Sequence, residues 1–185
     1  MSNVKEKIIK KVAGQCKKLY ENKAALAKLR RGIGKEIGEL PEILGYVLLE
    51  EDAVSIKPTK AEKAVYTAMT LFALHQQGQS KLMHDSRFIE GTKRSASFGF
   101  AAKKLVTDDT ATTFDHRFKQ VATAADLEEL AVHARSLINM MRQHDIAFDY
   151  AKFAYDLYLF QNTEWRKDVV VAWGKDYYLN RGKDE

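Results

Sequence analysis

TAADLEELAVHARSLINMMRQ, residues 123–143, is the segment from which the architecture is read most directly. Leu127, Leu130, Ala131, Ala134, Leu137, Ile138 and Met141 recur at spacings of three and four, which places them on one apolar seam of a helix. In a strand the same residues would be scattered over both faces. Thr123 and Asp126 precede the run as helix-start signals, and Arg135 and Arg142, seven residues apart, share a flank of it.

The same period continues in both directions. Downstream, Asp149 stands before Phe153, Ala154, Leu157 and Phe160, and Thr163 stands before Trp165, Val169, Trp173 and Tyr177. Upstream, Phe114, Phe118 and Val121 mark a short helix, and Phe98, Ala101, Ala102 and Leu105 mark another whose opposite face carries Lys103 and Lys104. Gly99 inside that pattern points to a close helix approach. Pro58, Thr59 and Glu62 form a capping box for a helix reaching about Gln77, in which Ala61, Val65, Ala68, Met69, Leu71, Phe72 and Leu74 leave little polar surface. A short apolar helix follows Pro41, and residues 50–57 read as a connector. Leu26, Leu29 and Ile33 define a helix ended by Gly32 and Gly34, and Val4, Ile8, Val12, Cys16 and Leu19 give the first one its stripe. The period fails between residues 78 and 96, a long loop, and no Asn-Gly or Asp-Gly pair joins alternating runs. The expectation is an all-α fold of two packed helical-bundle halves, 1–107 and 108–185, with about eight or nine helices.

With 185 residues, 45% hydrophobic and 30% charged, the chain is long enough and apolar enough to bury a core. No apolar run approaches the roughly 18 residues of a membrane span, and Met1 leads into interspersed lysines rather than an apolar signal segment, so the expected location is cytoplasmic. Cys16 is the only cysteine, which removes internal disulfides and cysteine-cluster metal sites. Charge is unevenly spread. The first 35 residues hold eleven lysines and arginines against Glu6 and Glu21, a local balance of +9, whereas the whole chain is +5. A basic end on a mildly acidic body suits a polyanionic partner, because clustered cations displace the counterions condensed on phosphates.

Catalytic patterns are sparse. His84-Asp85 and His144-Asp145 have the form of metal phosphohydrolase ligand pairs, with His75 and Asp115 as conceivable partners, and Glu129 stands one turn before His133. The same residues suit helix ends and polar loops, and neither a phosphate-binding glycine loop nor a nucleophile elbow accompanies them. The reading from residues alone is a binding protein that needs no metal or other cofactor.

Particular strings carry more than periodicity. Leu29-Arg30-Arg31-Gly32, Thr70-Leu71-Phe72-Ala73-Leu74-His75-Gln76, Ser97-Phe98-Gly99 with Ala101 and Leu105, Arg117-Phe118, Asp149-Tyr150 and Trp173-Gly174-Lys175-Asp176-Tyr177-Tyr178 occur in that order. Between about Leu26 and Tyr178 the chain resembles the CasB family, the small subunit of the type I-E CRISPR surveillance complex called Cascade. The resemblance implies an all-helical subunit without catalysis of its own, packed head to tail with a second copy of itself between the backbone and large Cascade subunits. It implies contact with single-stranded and double-stranded DNA in a guide RNA-containing complex, stabilising opened target DNA (the R-loop) in antiviral defence. Sequence is then read by RNA pairing, and the subunit needs only phosphate contacts. Two features depart from the family: His84 and Ser97 stand further apart, like an insertion, and His116 precedes Arg117-Phe118 where relatives often carry arginine.

The nucleic-acid-binding candidates at family positions are Arg30, Arg31, Lys103, Lys104, Arg117 and Lys175, with Arg31 foremost because its helical phase exposes it and Arg30 at the edge of the apolar stripe. Lys28, Lys35, Arg94, Arg135, Arg142, Arg166 and Lys167 join them on charge alone. Trp165, Trp173, Tyr177 and Tyr178 offer stacking surfaces, although their spacing fits a core stripe better. Two other readings stand beside this one: a helical protein–protein adaptor whose lysines only solvate it, and a metal-dependent phosphohydrolase.

Overall fold

The structure, a computed structural model, describes residues 2–49, 56–91 and 94–179. Nine α-helices occur among them: α1 Ser2–Leu19, α2 Lys23–Arg31, α3 Leu44–Val47, α4 Lys60–His75, α5 Phe98–Lys103, α6 Ala111–Ala122, α7 Leu127–Gln143, α8 Tyr150–Phe160 and α9 Thr163–Gly174. Short 3-10 turns lie at Pro41–Ile43 and Arg94–Ala96, and α9 runs into a π turn, Lys175–Leu179. Extended pairing among the described residues is one isolated parallel bridge, His84 with Phe148. The chain is all-helical, as its periodicity predicts.

The centre is α4, buried nearly all round as its apolar composition requires: Ala64, Val65, Ala68, Met69 and Phe72 are fully buried. It packs against α1, α2, α7 and α8, and α8 packs against α1 and α9, so one apolar core takes residues from both sides of position 107. The capping box forms as read: the Glu62 N–H donates to Thr59 Oγ1 at 3.2 Å, and the Thr59 N–H donates to Glu62 Oε2 at 2.9 Å. Two start signals are displaced. Thr123 closes α6 instead of opening α7, its hydroxyl donating to the Lys119 carbonyl at 2.9 Å, and Asp126 alone caps α7. Thr163 is the first residue of α9, and the cap is Asn162, whose Oδ1 accepts from the Glu164 N–H at 2.9 Å.

Most of the connector expected at 50–57 lies outside the described residues, as do residues 92 and 93 of the long loop. The described part of that loop is tied down at both ends. Gln76 accepts from the Met83 N–H at 2.9 Å and donates to the Lys81 carbonyl at 2.8 Å. Buried Asp149 caps α8 through Oδ1, takes the Ile89 N–H on Oδ2 at 2.8 Å, and donates its own N–H to the Ala96 carbonyl at 2.7 Å. One side chain therefore starts a helix and holds a loop.

Candidate nucleic-acid interface

The basic N-terminal region is positioned by α2. Asn22 caps it, accepting from the Ala25 N–H at 3.0 Å, and Leu26 and Leu29 bury its inner face. Its far end is fastened to α4 twice: Arg30 Nη1 donates to the Ala73 carbonyl at 3.4 Å, and the Tyr66 hydroxyl donates to the Gly32 carbonyl at 2.9 Å. Arg30 is thus a half-buried tether. Arg31, one residue on, keeps 61% of its side chain exposed and meets Glu42 at 3.0 Å. An exposed pair of this kind is worth about 0–1 kcal/mol, so a phosphate can take Glu42's place at little cost. Lys28 is exposed beside it, and Lys35 pairs with Glu39 at 3.5 Å.

Two surface recesses gather further candidates. Lys35 and Arg135, read from opposite ends of the sequence, border a groove of about 650 Å³ between the segment after α2 and the facing sides of α4 and α7. Lys57 and Lys63 complete its rim; sequence reasoning passed over both, although Lys63 shares a helical face with Thr67, Thr70 and Leu71. Lys104 borders a second recess of about 520 Å³ together with Lys81 and Arg87 of the long loop. Lys103 turns toward the Phe100 ring, its Nζ 5.8 Å from the centroid.

Other candidates are engaged inside the fold. Arg117 Nη1 donates to Ser136 Oγ at 2.6 Å, bridging α6 and α7. Arg142 Nη1 reaches the Gln77 carbonyl at 3.5 Å, while its own carbonyl accepts from Gln79 Nε2 at 2.6 Å. Arg135 and Arg142 accordingly do different things despite their shared flank. Arg166 donates to the Phe160 carbonyl at 3.1 Å and the Ala125 carbonyl at 2.7 Å, with its guanidinium 4.6 Å from the Phe160 ring centre. Lys167 and Lys175 are exposed, and the Arg94 side chain lies outside the described residues. Trp173 and Tyr177 are core residues, stacked against Phe153 and Phe118, whereas Tyr178 is 44% exposed and Trp165 half-buried.

The ionisable groups of the interior serve structure. His84, Asp85 and Asp145 border the smaller recess, yet His84 Nδ1 accepts from the Tyr150 N–H at 3.1 Å and Arg87 holds Asp85 through two bonds of 2.7 Å. No group of three or more His, Cys, Asp or Glu placed to hold a metal occurs among the described residues. Burial lowers the His84 pKa to about 4, with Lys17 adding to the effect, and lowers that of His75 to about 3. Burial raises the Asp156 pKa, against the pull of Lys152 and of the Trp173 Nε1–H, which donates to it at 2.9 Å. Beside it Asp176 accepts from the Ser97 hydroxyl at 2.7 Å, joining the cap of α5 to the π turn.

An all-helical protein with cations gathered at helix ends and around two surface recesses is the class that fold and site define. The chain belongs to the CRISPR-associated protein Cse2 family, whose family model matches residues 25–178. Among solved structures it is similar to CasB from Thermobifida fusca, with 26% identity, 96% of each chain covered and a TM-score of 0.70. CasB from Thermus thermophilus is 21% identical over 94% of this chain and 97% of that one, with a TM-score of 0.66. A chain of a CRISPR RNA-guided surveillance complex is 21% identical, with 95% and 94% coverage and a TM-score of 0.65. The last two, at that identity, establish the fold. A search of curated protein sequences gives no match.

Proposed function

We propose that this chain is the non-catalytic small subunit of a type I-E CRISPR RNA-guided DNA surveillance complex, Cascade. Its basic surfaces follow nucleic-acid backbone without reading bases and hold target DNA open once guide RNA has paired, as part of cytoplasmic antiviral defence. The observation that carries this reading is the Cse2 family match over residues 25–178. It is supported by a chain of the same fold within a surveillance complex and by exposed cations at Lys28, Arg31, Lys35, Lys104 and Arg135. The partners are a second copy of this chain, the backbone and large subunits, guide RNA and DNA in single- and double-stranded form. No helix among the described residues is long and apolar enough to cross a membrane.

Tyr178 and Leu179, consecutive and 44% and 74% accessible, favour the adaptor reading as a second one, since neighbouring large apolar side chains on a surface suit a protein partner. The test is reconstitution with a tagged guide-RNA-containing complex. Under the main reading the chain co-purifies and its omission shortens the lifetime of opened DNA. An unchanged lifetime with the chain present or omitted would leave only the adaptor. Failure to co-purify would remove both.

A further inference from the structure

The 650 Å³ groove is more than a basic patch, because its walls and its rim differ in chemistry. The walls are mainly apolar, with Ile33 and Ile37 from the segment after α2, Tyr66 and Leu71 from α4, and Leu127 and Val132 from α7, interrupted by Thr67 and Thr70 of α4. Val132 is 66% exposed, on a helix whose other large aliphatic side chains are buried. An isolated exposed valine needs no explanation, but one set in the mouth of an apolar groove does. The rim is cationic, with Lys35, Lys57, Lys63 and Arg135 against Glu36 and Glu128.

We propose that this groove receives an unstacked base of a single nucleic-acid strand, with the flanking phosphates held by Lys35, Lys63 and Arg135. The inference rests on the nucleic-acid reading above and deepens it. Charge complementarity selects a polyanion. The apolar walls then select a strand whose bases are free to turn out of a stack, since a duplex shows base edges in its grooves but keeps the base faces stacked. The volume falls within the range of about 300–1,000 Å³ typical of sites for small organic ligands, enough for one nucleotide unit. Neither aromatic exposure nor a hydrogen-bonding pattern for one base is required, so insertion is tolerant of sequence. The subunit gains hold on a displaced strand while leaving recognition to RNA pairing. Arg31 lies outside the groove lining and engages backbone only.

The experiment uses the full chain and three probes of equal length: a thymidine strand, the same strand with abasic sites, and a strand carrying 2-aminopurine. The wild type is expected to bind the abasic strand about tenfold more weakly than the thymidine strand. Val132→Asp, which alters an exposed side chain, weakens the thymidine strand by a similar factor, leaves the abasic strand nearly unchanged and abolishes the fluorescence change of 2-aminopurine. Lys63→Glu weakens both strands. Equal affinity for thymidine and abasic strands, with Val132→Asp silent, would overturn base insertion and leave the nucleic-acid function standing. No binding of any strand at low salt would overturn that function, and base insertion with it. If Val132→Asp binds strands normally but fails to join the guide-RNA complex, the groove is a protein-docking site and the proposal falls.

Discussion

Gly99 shows how far a single absent side chain sets the packing. A Cβ built there would lie 2.5 Å from the Trp173 carbonyl oxygen and 2.9 Å from Asp176 Cβ, so α5 rests directly on the end of α9. Gly99→Ala gains about 1 kcal/mol of helix propensity, but the obstacle is backbone, and overpacking of this kind costs about 1–3 kcal/mol or more. The clash wins: urea denaturation should show a net loss of stability, and a variant as stable as the parent would contradict the close approach. The buried histidines act at the same scale. Their folded pKa values, about 3 for His75 and about 4 for His84, lie below the ordinary 6.5, so the unfolded chain binds more protons between these limits. Stability is then fully present above pH 6.5 and falls on acidification, by roughly 1–2 kcal/mol per histidine at pH 5. Asp149 and Asp156, with pKa values raised by burial, act in the opposite sense as their carboxyls protonate. His84→Asn removes one titrating group and should flatten the acid limb measured by denaturation at stepwise pH.

Among the elements, Asp149 is where local and long-range order meet. Its Oδ1 takes the Ala151 and Lys152 N–H groups at 3.0 Å, and its Oδ2 takes the Ile89 N–H across sixty residues of sequence. Asp149→Asn keeps one acceptor oxygen and turns the other into a donor, so either the cap or the loop contact is lost. The expected cost is about 1–2 kcal/mol, with faster amide exchange at Ile89 if the cap survives; unchanged exchange at Ile89, Ala151 and Lys152 together would argue against the double role. The cap was legible in the sequence because it precedes a periodic run. The loop contact was not, since nothing in residues 78–96 marks a partner beyond residue 140. The same distinction explains the rest. Helix positions follow from local spacing, and Thr59–Glu62 was readable as written. The Thr123 and Thr163 assignments failed because a better acceptor stood within three residues of each, Asp126 and Asn162. Arg117, Arg142 and Arg166 read as surface charge, yet their guanidinium groups bond to Ser136, Gln77, Phe160 and Ala125 on other elements, which helical phase alone does not reveal. The groove escaped notice for a similar reason: Lys35, Lys63 and Arg135 belong to three segments that only the tertiary fold brings together.

For the molecule as a whole, the question is whether binding and folding use separate residues. The chain carries +5 overall with +9 in its first 35 residues, so association with a polyanion should be salt-dependent. If about four to six phosphates of a single strand are engaged, log affinity falls with log salt at a slope of about −3 to −4, and unrelated sequences bind within a few-fold of one another. Arg31→Glu reverses an exposed charge whose guanidinium meets Glu42 at 3.0 Å. It should change stability by less than about 1 kcal/mol, weaken strand binding, and make the salt slope shallower by roughly 0.7, the share of one phosphate. Trp173→Ala does the reverse. It removes a side chain that is 1% exposed, packed on Phe98 and Phe153 and bonded to Asp156 at 2.9 Å. The loss of packing should cost about 3–5 kcal/mol, and binding should decline only as the folded fraction declines. Paired denaturation curves and salt-resolved titrations on both variants decide the matter. Normal binding and an unaltered slope for Arg31→Glu would exclude Arg31 from the interface. A fully folded Trp173→Ala that no longer binds would place the interface on the α5–α9 face instead.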